Sequence, residues 1–194
     1  MVEADGPALV LGSTQRPEIA DVRAADAAGV VVVRRRSGGG AVLVGTADVV
    51  WADVFVPAGD LLWERDVSRA THWLGAAWTD ALAGLGAATT WHDGALVAGP
   101  WSDLVCFAGM GPGEVRSDRA KMVGISQRRT RDGALFQCAA LLAWDPAPTL
   151  GLLALSTGER RQAAHDLAGV AAGIGYTVTA AALQDVFVAS VATR

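Results

Sequence analysis

The sequence predicts an α+β domain, a mixed and largely antiparallel sheet with flanking helices. Three observations carry that expectation. Apolar runs with strand character recur along most of the chain, as in Val30–Val33, Val49–Val56 and Ala134–Trp144. Several are separated by short turn signals (Asp93-Gly94, Ser117-Asp118, Arg131-Asp132-Gly133) instead of the helices that a doubly wound parallel sheet needs. Helical periodicity is confined to a few stretches, the main one from Val67 to about Gly84 and others after residue 145.

Taken in order, Pro7–Gly12 is a short apolar run ended by Gly12-Ser13, hence a strand. Pro17 and Glu18 open a helix that Gly29 closes. Val30–Val33 reads as a buried strand, followed by Arg34–Arg36, Ser37 and the glycines Gly38, Gly39 and Gly40, before the apolar run resumes at Ala41–Val44. Glycine loses entropy on folding and packs nothing. Three together behind a cationic cluster imply a backbone that must lie against something, the plainer alternative being a hairpin turn.

Val49–Val56 is a strand and Pro57–Asp60 a turn. Asp66 caps the main core helix, whose apolar stripe includes Val67, Ala70, Leu74, Ala77, Trp78 and Leu82. Trp73 and Trp78 are expected to pack there. Ala88–His92 and Ala95–Ala98 read as a hairpin around Asp93-Gly94, and Trp101–Ala108 as a strand entering the turn Gly109–Gly113. Glu114–Arg116 and Lys121–Arg129 are the arms of another hairpin, and Ala134–Trp144 is a further strand. Asp145-Pro146 starts a helical tail over 146–194. In it, a capping box at Ser156–Glu159 opens a helix to about Ala172, Tyr176–Thr179 is a short strand, and Ala180–Thr193 is an amphipathic helix. No repeat or linker divides the chain, so 1–194 is expected to be one domain.

Composition narrows the classes. With 194 residues, 52% of them hydrophobic and 19% charged, the chain can bury a sizeable core and is not expected to be disordered. A net charge of −4, with basic clusters only at Arg34–Arg36 and Arg128–Arg131, argues against a nucleic-acid partner. Cys106 and Cys138 lack metal-ligand spacing and are too few for a disulfide framework, so no metal site is expected among them. No stretch has the length of a membrane span and the N-terminus is not a signal peptide, so the expected location is cytoplasmic with no membrane partner. Of 16 basic residues, Lys121 is the one lysine. A chain that uses arginine elsewhere and keeps one lysine points to a need for a compact ammonium on a flexible stem.

Lys121 begins the second unusual stretch, Lys121-Met-Val-Gly-Ile-Ser-Gln127. In a regular strand Lys121, Val123, Ile125 and Gln127 share one face. Gly124 in mid-strand is costly unless another backbone or a ligand comes close. A lysine near small and amide side chains can hold a carbonyl or phosphate by charge-assisted bonds.

Arg34-Arg-Arg-Ser-Gly-Gly-Gly-Ala-Val42, with Lys121–Gln127 some eighty residues later, resembles the biotin/lipoate protein ligase and octanoyltransferase superfamily, and its lipoate–protein ligase catalytic domain in particular. Pro7–Gln15 and Arg131–Gln137 are similar to the segments that precede the glycine loop and follow the lysine, so the similarity spans roughly residues 7–145. It implies a sheet like that of the biotinyl and lipoyl ligases, with the glycine loop lining an acyl or acyl-adenylate pocket. By the same resemblance Arg35, Ser37 and Gly38–Gly40 contact the acyl or adenylate part, with Gly124, Ser126 and Gln127 also in the pocket. Lys121 takes the catalytic role of holding the reactive carbonyl.

The implied reaction attaches a lipoyl or octanoyl group to a lysine of a lipoyl domain, in a 2-oxoacid dehydrogenase or the glycine cleavage H protein. A ligase uses ATP and Mg²⁺ to form an acyl-adenylate from lipoate or octanoate. Asp103, in Trp101-Ser-Asp103, stands where ligases carry an Asn-Asp pair, with Ser102 in place of the Asn. A transferase needs no ATP: it takes the acyl group from an acyl carrier protein as a thioester on cysteine. Cys106-Phe107 resembles the Cys-Phe of cysteine-dependent octanoyl and lipoyl transferases, and Glu114 falls where those carry a glutamate. Val44 and Cys138-Ala139 replace a histidine and a His-Gly of many members, and the N-terminal part looks shortened. These departures motivate a third reading, a non-catalytic relative that binds an acyl group or a lipoyl domain.

Overall fold

The structure is a computed structural model that describes residues 6–175 and 177–194. Its strands divide into two sheets. Strands β1 (Ala8–Leu11), β2 (Val31–Arg34) and β3 (Val42–Val44) lie in the order β2-β1-β3, β1 being parallel to β2 and antiparallel to β3. Strands β4 (Val49–Pro57), β5 (Thr90–Trp91), β6 (Val115–Ser117), β7 (Ala120–Arg129) and β8 (Gly133–Leu141) form an antiparallel sheet in the order β4-β8-β7-β6-β5. The fold class is α+β, as the sequence implies.

Period-two alternation sorts the side chains into layers. One face of the large sheet, with Val123, Phe136 and Cys138, packs on helices α2 (His72–Gly84) and α5 (Ala180–Ala192) through Leu74, Trp78, Leu82, Leu183 and Phe187. Trp78 and Phe187 stack with centroids 3.7 Å apart. The other face brings Ala139 and Leu141 against Val10, Val42 and Val44 of the small sheet. Leu9 and Leu11, on the far side of β1, bury against α1 (Val22–Ala27), α3 (Pro146–Gly151) and α4 (Thr157–Leu167). Two sheets back to back between two helical layers leave a cleft at their shared edge.

Several expectations change. Val30–Val33 is not a buried strand: β2 is the edge of the small sheet, and Val31 and Val33 are 62% and 42% exposed. Nor is the glycine loop a hairpin turn, because β1 lies between β2 and β3. The helix expected from Pro17 to Gly29 breaks at Ala20, which bridges Leu153. A 3-10 turn (Pro17–Ile19) precedes α1, whose cap is Asp21. Likewise a 3-10 turn (Arg69–Thr71) precedes α2, and Val67 is exposed.

Trp101–Ala108 is not a strand but a run of turns ending in a 3-10 turn, Cys106–Ala108. The hairpin around Asp93-Gly94 does not form either: β5 pairs with β6, and Val97 bridges Met110. In both places the local propensity is overridden by distant partners. The capping box at Ser156 and Glu159 is present, yet its helix ends at Leu167 so that Ala171 can bridge Lys121. Of the expected strand Tyr176–Thr179, Tyr176 lies outside the described residues, and Thr177–Thr179 forms no strand, Thr179 serving instead as the cap of α5.

Candidate active site

A cleft of about 690 Å³ opens where the glycine loop, the 96–111 segment and β7 meet. Its walls bring together nearly every residue singled out from the sequence: Arg35, Gly38–Gly40, Asp103, Cys106, Lys121, Ser126 and Gln127. Gly124 sits beside it, and Ser37 lies just behind the loop.

The glycines are explained by backbone packed on backbone. A Cβ on Gly12 would stand 1.8 Å from Gly39 O, and one on Gly40 would stand 2.5 Å from Val105 C. The loop therefore presses on β1's end on one side and on the cysteine-bearing segment on the other. Gly39, at φ +95°, uses a conformation that favours glycine. The Ala41 amide donates to Leu104 O and the Cys106 amide to Ala41 O, which fastens the cysteine segment alongside the loop.

Side chains complete the loop. Arg35 is almost fully buried; its Nε and Nη2 donate to Gly38 O, and Nη2 also donates to Gly40 O at 3.0 Å. This guanidinium holds the turn together. Ser37 Oγ donates to Gln137 Oε1 at 2.7 Å and pairs with Ser126 Oγ at 2.8 Å, tying the loop to β8 and β7. Gln15 links two segments, accepting from the Gly12 amide and donating to Asp103 O and Leu104 O. Gln15 and Gln137 end two of the family-like segments, but nothing local marks their bonding, since these partners lie 88 and 100 residues away.

Lys121 arrives by an irregularity. The register shifts between Val115 and Arg116 on β6, and both Met122 and Val123 enter the helix-side core. The alternation predicted for Lys121, Val123, Ile125 and Gln127 is therefore broken at its first member, as a β-bulge does. Lys121 is 2% exposed. Its ammonium donates to Cys106 O at 2.8 Å and Gly109 O at 3.0 Å, and meets Glu114 Oε2 at 2.6 Å. Gly124 leaves the space between the two reactive groups: a Cβ there would stand 3.4 Å from Cys106 Sγ and 3.6 Å from Lys121 Nζ. Thiol and ammonium thus share one small volume at the cleft wall.

Glu114, which the sequence marked only through the resemblance, proves central. It reaches Lys121 from just before β6, past Arg116, the register partner of the lysine, so the strand pairing alone does not reveal the ion pair. Three cations (Arg16, Arg35, Lys121) and two carboxylates (Asp103, Glu114) line the cleft. A net positive cleft in a chain of net charge −4 favours an anionic or carbonyl-bearing ligand. The second cysteine is elsewhere: Cys138 lies in the helix-side core, where burial pushes its thiol up to about 12. Among the described residues no group of three His, Cys, Asp or Glu could hold a metal ion.

The model of the lipoyl protein ligase A/B catalytic domain matches residues 1–190. The chain belongs to that family. Among solved structures, the chain resembles a bipartite lipoate protein ligase from Thermoplasma acidophilum, described with its E2 lipoyl domain. The TM-score is 0.75 at 17% identity, over 97% of this chain and 67% of that one. It also resembles T. acidophilum Ta0514 with bound lipoic acid (TM-score 0.67, 16% identity, 97% and 68% covered). A third match is lipoate-protein ligase A bound with ATP (TM-score 0.66, 15% identity, 97% and 68% covered). At these identities the likeness is one of fold. The chain thus spans about two-thirds of each, and no curated protein matches it by sequence. No helix among the described residues is long and apolar enough to cross a membrane.

Proposed function

We propose that this lipoyl-ligase-family domain transfers a lipoyl or octanoyl group to a lysine of a lipoyl domain through a thioester on Cys106. One observation carries the proposal: the Cys106 thiol and the Lys121 ammonium flank the space left by Gly124, inside the cleft bounded by the glycine loop. A thiolate is the nucleophile, and a nearby fixed cation favours it. In the first step Cys106 Sγ attacks the carbonyl of an acyl thioester on a carrier protein. The carrier's sulfur leaves and takes up a proton. In the second step the acceptor lysine's amine attacks the Cys106 thioester, forming the amide and returning the thiol. The apolar side chains at the cleft wall, Ile19, Leu96 and Leu104, suit a medium-length acyl chain.

A second reading is favoured by Asp103. Its exposed carboxylate lies on the rim of the same cleft, and one carboxylate with nucleotide phosphates is a common Mg²⁺ arrangement. The donor set therefore fits ATP with Mg²⁺, which would activate free lipoate as an acyl-adenylate, and Arg16 would face its anionic part. The cytoplasm, where both acyl donors and lipoyl domains are expected, is the proposed location.

Mass spectrometry separates the readings. Octanoyl carrier protein without ATP is expected to leave an octanoyl mass on Cys106, absent in Cys106→Ser. Lipoate, ATP, Mg²⁺ and an apo lipoyl domain would give modified domain even in Cys106→Ser if the adenylate route operates. Failure of both reactions would leave a binding module.

A further inference from the structure

The Lys121 ammonium has three N–H donors and three acceptors around it, Cys106 O, Gly109 O and Glu114 Oε2. All three are committed within the protein, so the lysine grips the turn that carries the cysteine. Glu114 grips the same turn from the other end. Its Oε2 also accepts from the Gly111 amide at 2.6 Å, and its Oε1 accepts from the Ile125 amide of β7 at 3.0 Å. Both side chains are buried, at 3% and 8% exposure. One carboxylate thus fixes the ammonium, the 109–111 turn and β7 relative to one another.

We infer that Glu114 is a positioning residue, which acts through Lys121 to set the place and the electrostatic surroundings of the Cys106 thiol. Holding Lys121 on the turn, it partly neutralises a cation that flanks, with the sulfur, the space left at Gly124. The charged groups lining the cleft that the thiol shares are Lys121 and Glu114 from the hairpin, Arg35 from the glycine loop, and Arg16 and Asp103 from the rim. Of these, Glu114 is the one in ion-pair contact with Lys121. The assignment rests on the proposed acyl transfer for its purpose, but its physical content concerns the thiol and can be read without any acyl donor.

The test is the pH dependence of Cys106 alkylation by iodoacetamide in the folded protein, located by peptide mass. Cys138 is fully buried and stays silent. Glu114→Gln is expected to move the alkylation midpoint down by about one pH unit, because a carboxylate near the lysine is removed and the cation faces the thiol uncompensated. Octanoyl transfer by the same variant is expected to fall roughly tenfold or more in kcat, with KM for the donor within about threefold, as a misplaced turn does. An unchanged alkylation profile in a folded variant overturns the assignment.

If Glu114→Gln does not fold, Glu114→Gln/Lys121→Gln removes both charges together and leaves no unpaired buried ion. That double variant is expected to shift the profile upward, and no shift overturns the assignment. Absence of octanoyl transfer in the unmodified protein would remove the proposed reaction, while the alkylation profiles would still decide the role of Glu114.

Discussion

Lys121 is a single residue whose chemistry was legible before its surroundings were. A chain with 15 arginines and one lysine singles that lysine out, and the fold explains the exception. Three convergent acceptors within 3.0 Å suit a tetrahedral ammonium, whereas a planar guanidinium cannot direct three donors from one nitrogen to meet them. Lys121→Arg is therefore expected to lower stability by about 1–3 kcal/mol by leaving part of that acceptor set without its donor. It should also cut acyl transfer at least tenfold; urea denaturation and the octanoyl assay read the two effects separately. Full activity in that variant would refute the argument from the lone lysine.

Cys138 provides a contrasting case at the same scale, a thiol whose value lies in packing. Its folded-state pKa is raised from 9.0 to about 12 by burial, so the sign follows from linkage. Its contribution is fully present below the unfolded value and is lost as pH rises through the folded one. Stability is expected to fall between about pH 9 and 12, by on the order of 4 kcal/mol if the whole shift is realised. Comparing urea midpoints of the protein and of Cys138→Ala at pH 8 and pH 10.5 isolates that loss.

At the scale of elements, the glycine loop shows how a motif can be correct in place and incomplete in reason. The run Gly38–Gly40 suggested a backbone pressed against something, and it is pressed chiefly against its own chain, through Gly39 on Gly12 and Gly40 on Val105 and Cys106. Gly12→Ala would put a Cβ 1.8 Å from a backbone oxygen that has no flexible side chain to give way. The loop must move, at a cost of about 3 kcal/mol or more. Faster proteolysis within 35–41 and loss of octanoyl-enzyme formation are the expected readouts. The β6–β7 hairpin, by contrast, was readable from its turn alone. Its bulge was not, because a register shift is decided by what the two strands face and not by their propensity.

The whole molecule is two sheets packed face to face between helical layers, and the cleft belongs to neither sheet alone. Its walls draw on β1's exit, the loop before β3, the 96–111 segment and β7. A ligand that fills it bridges both sheets and binds only the folded state. Octanoate or lipoate analogues should therefore raise the melting temperature with concentration, by about 2.7 kcal/mol of added stability at a hundred times Kd. A thermal-shift series that stays flat with every acyl ligand would count against acyl handling in this cleft.

Local pattern determined much of this protein: the strands β1, β3, β4, β7 and β8, the core helix α2, the capping box of α4 and the two motifs that mark the family. Each of these depends on neighbours in the chain, on period two or 3.6, or on a turn type, and such information survives in one dimension. Only the tertiary structure decided that β1 inserts between β2 and β3, leaving Val31 and Val33 at an exposed edge. The same holds for Trp101–Ala108, which forms turns because Ala41, Gln15 and Lys121 hold it, and for the pairing of Glu114 with Lys121 that encloses the cysteine turn. Those outcomes rest on contacts between distant segments, whose free energies outweigh the local preferences that the sequence displays.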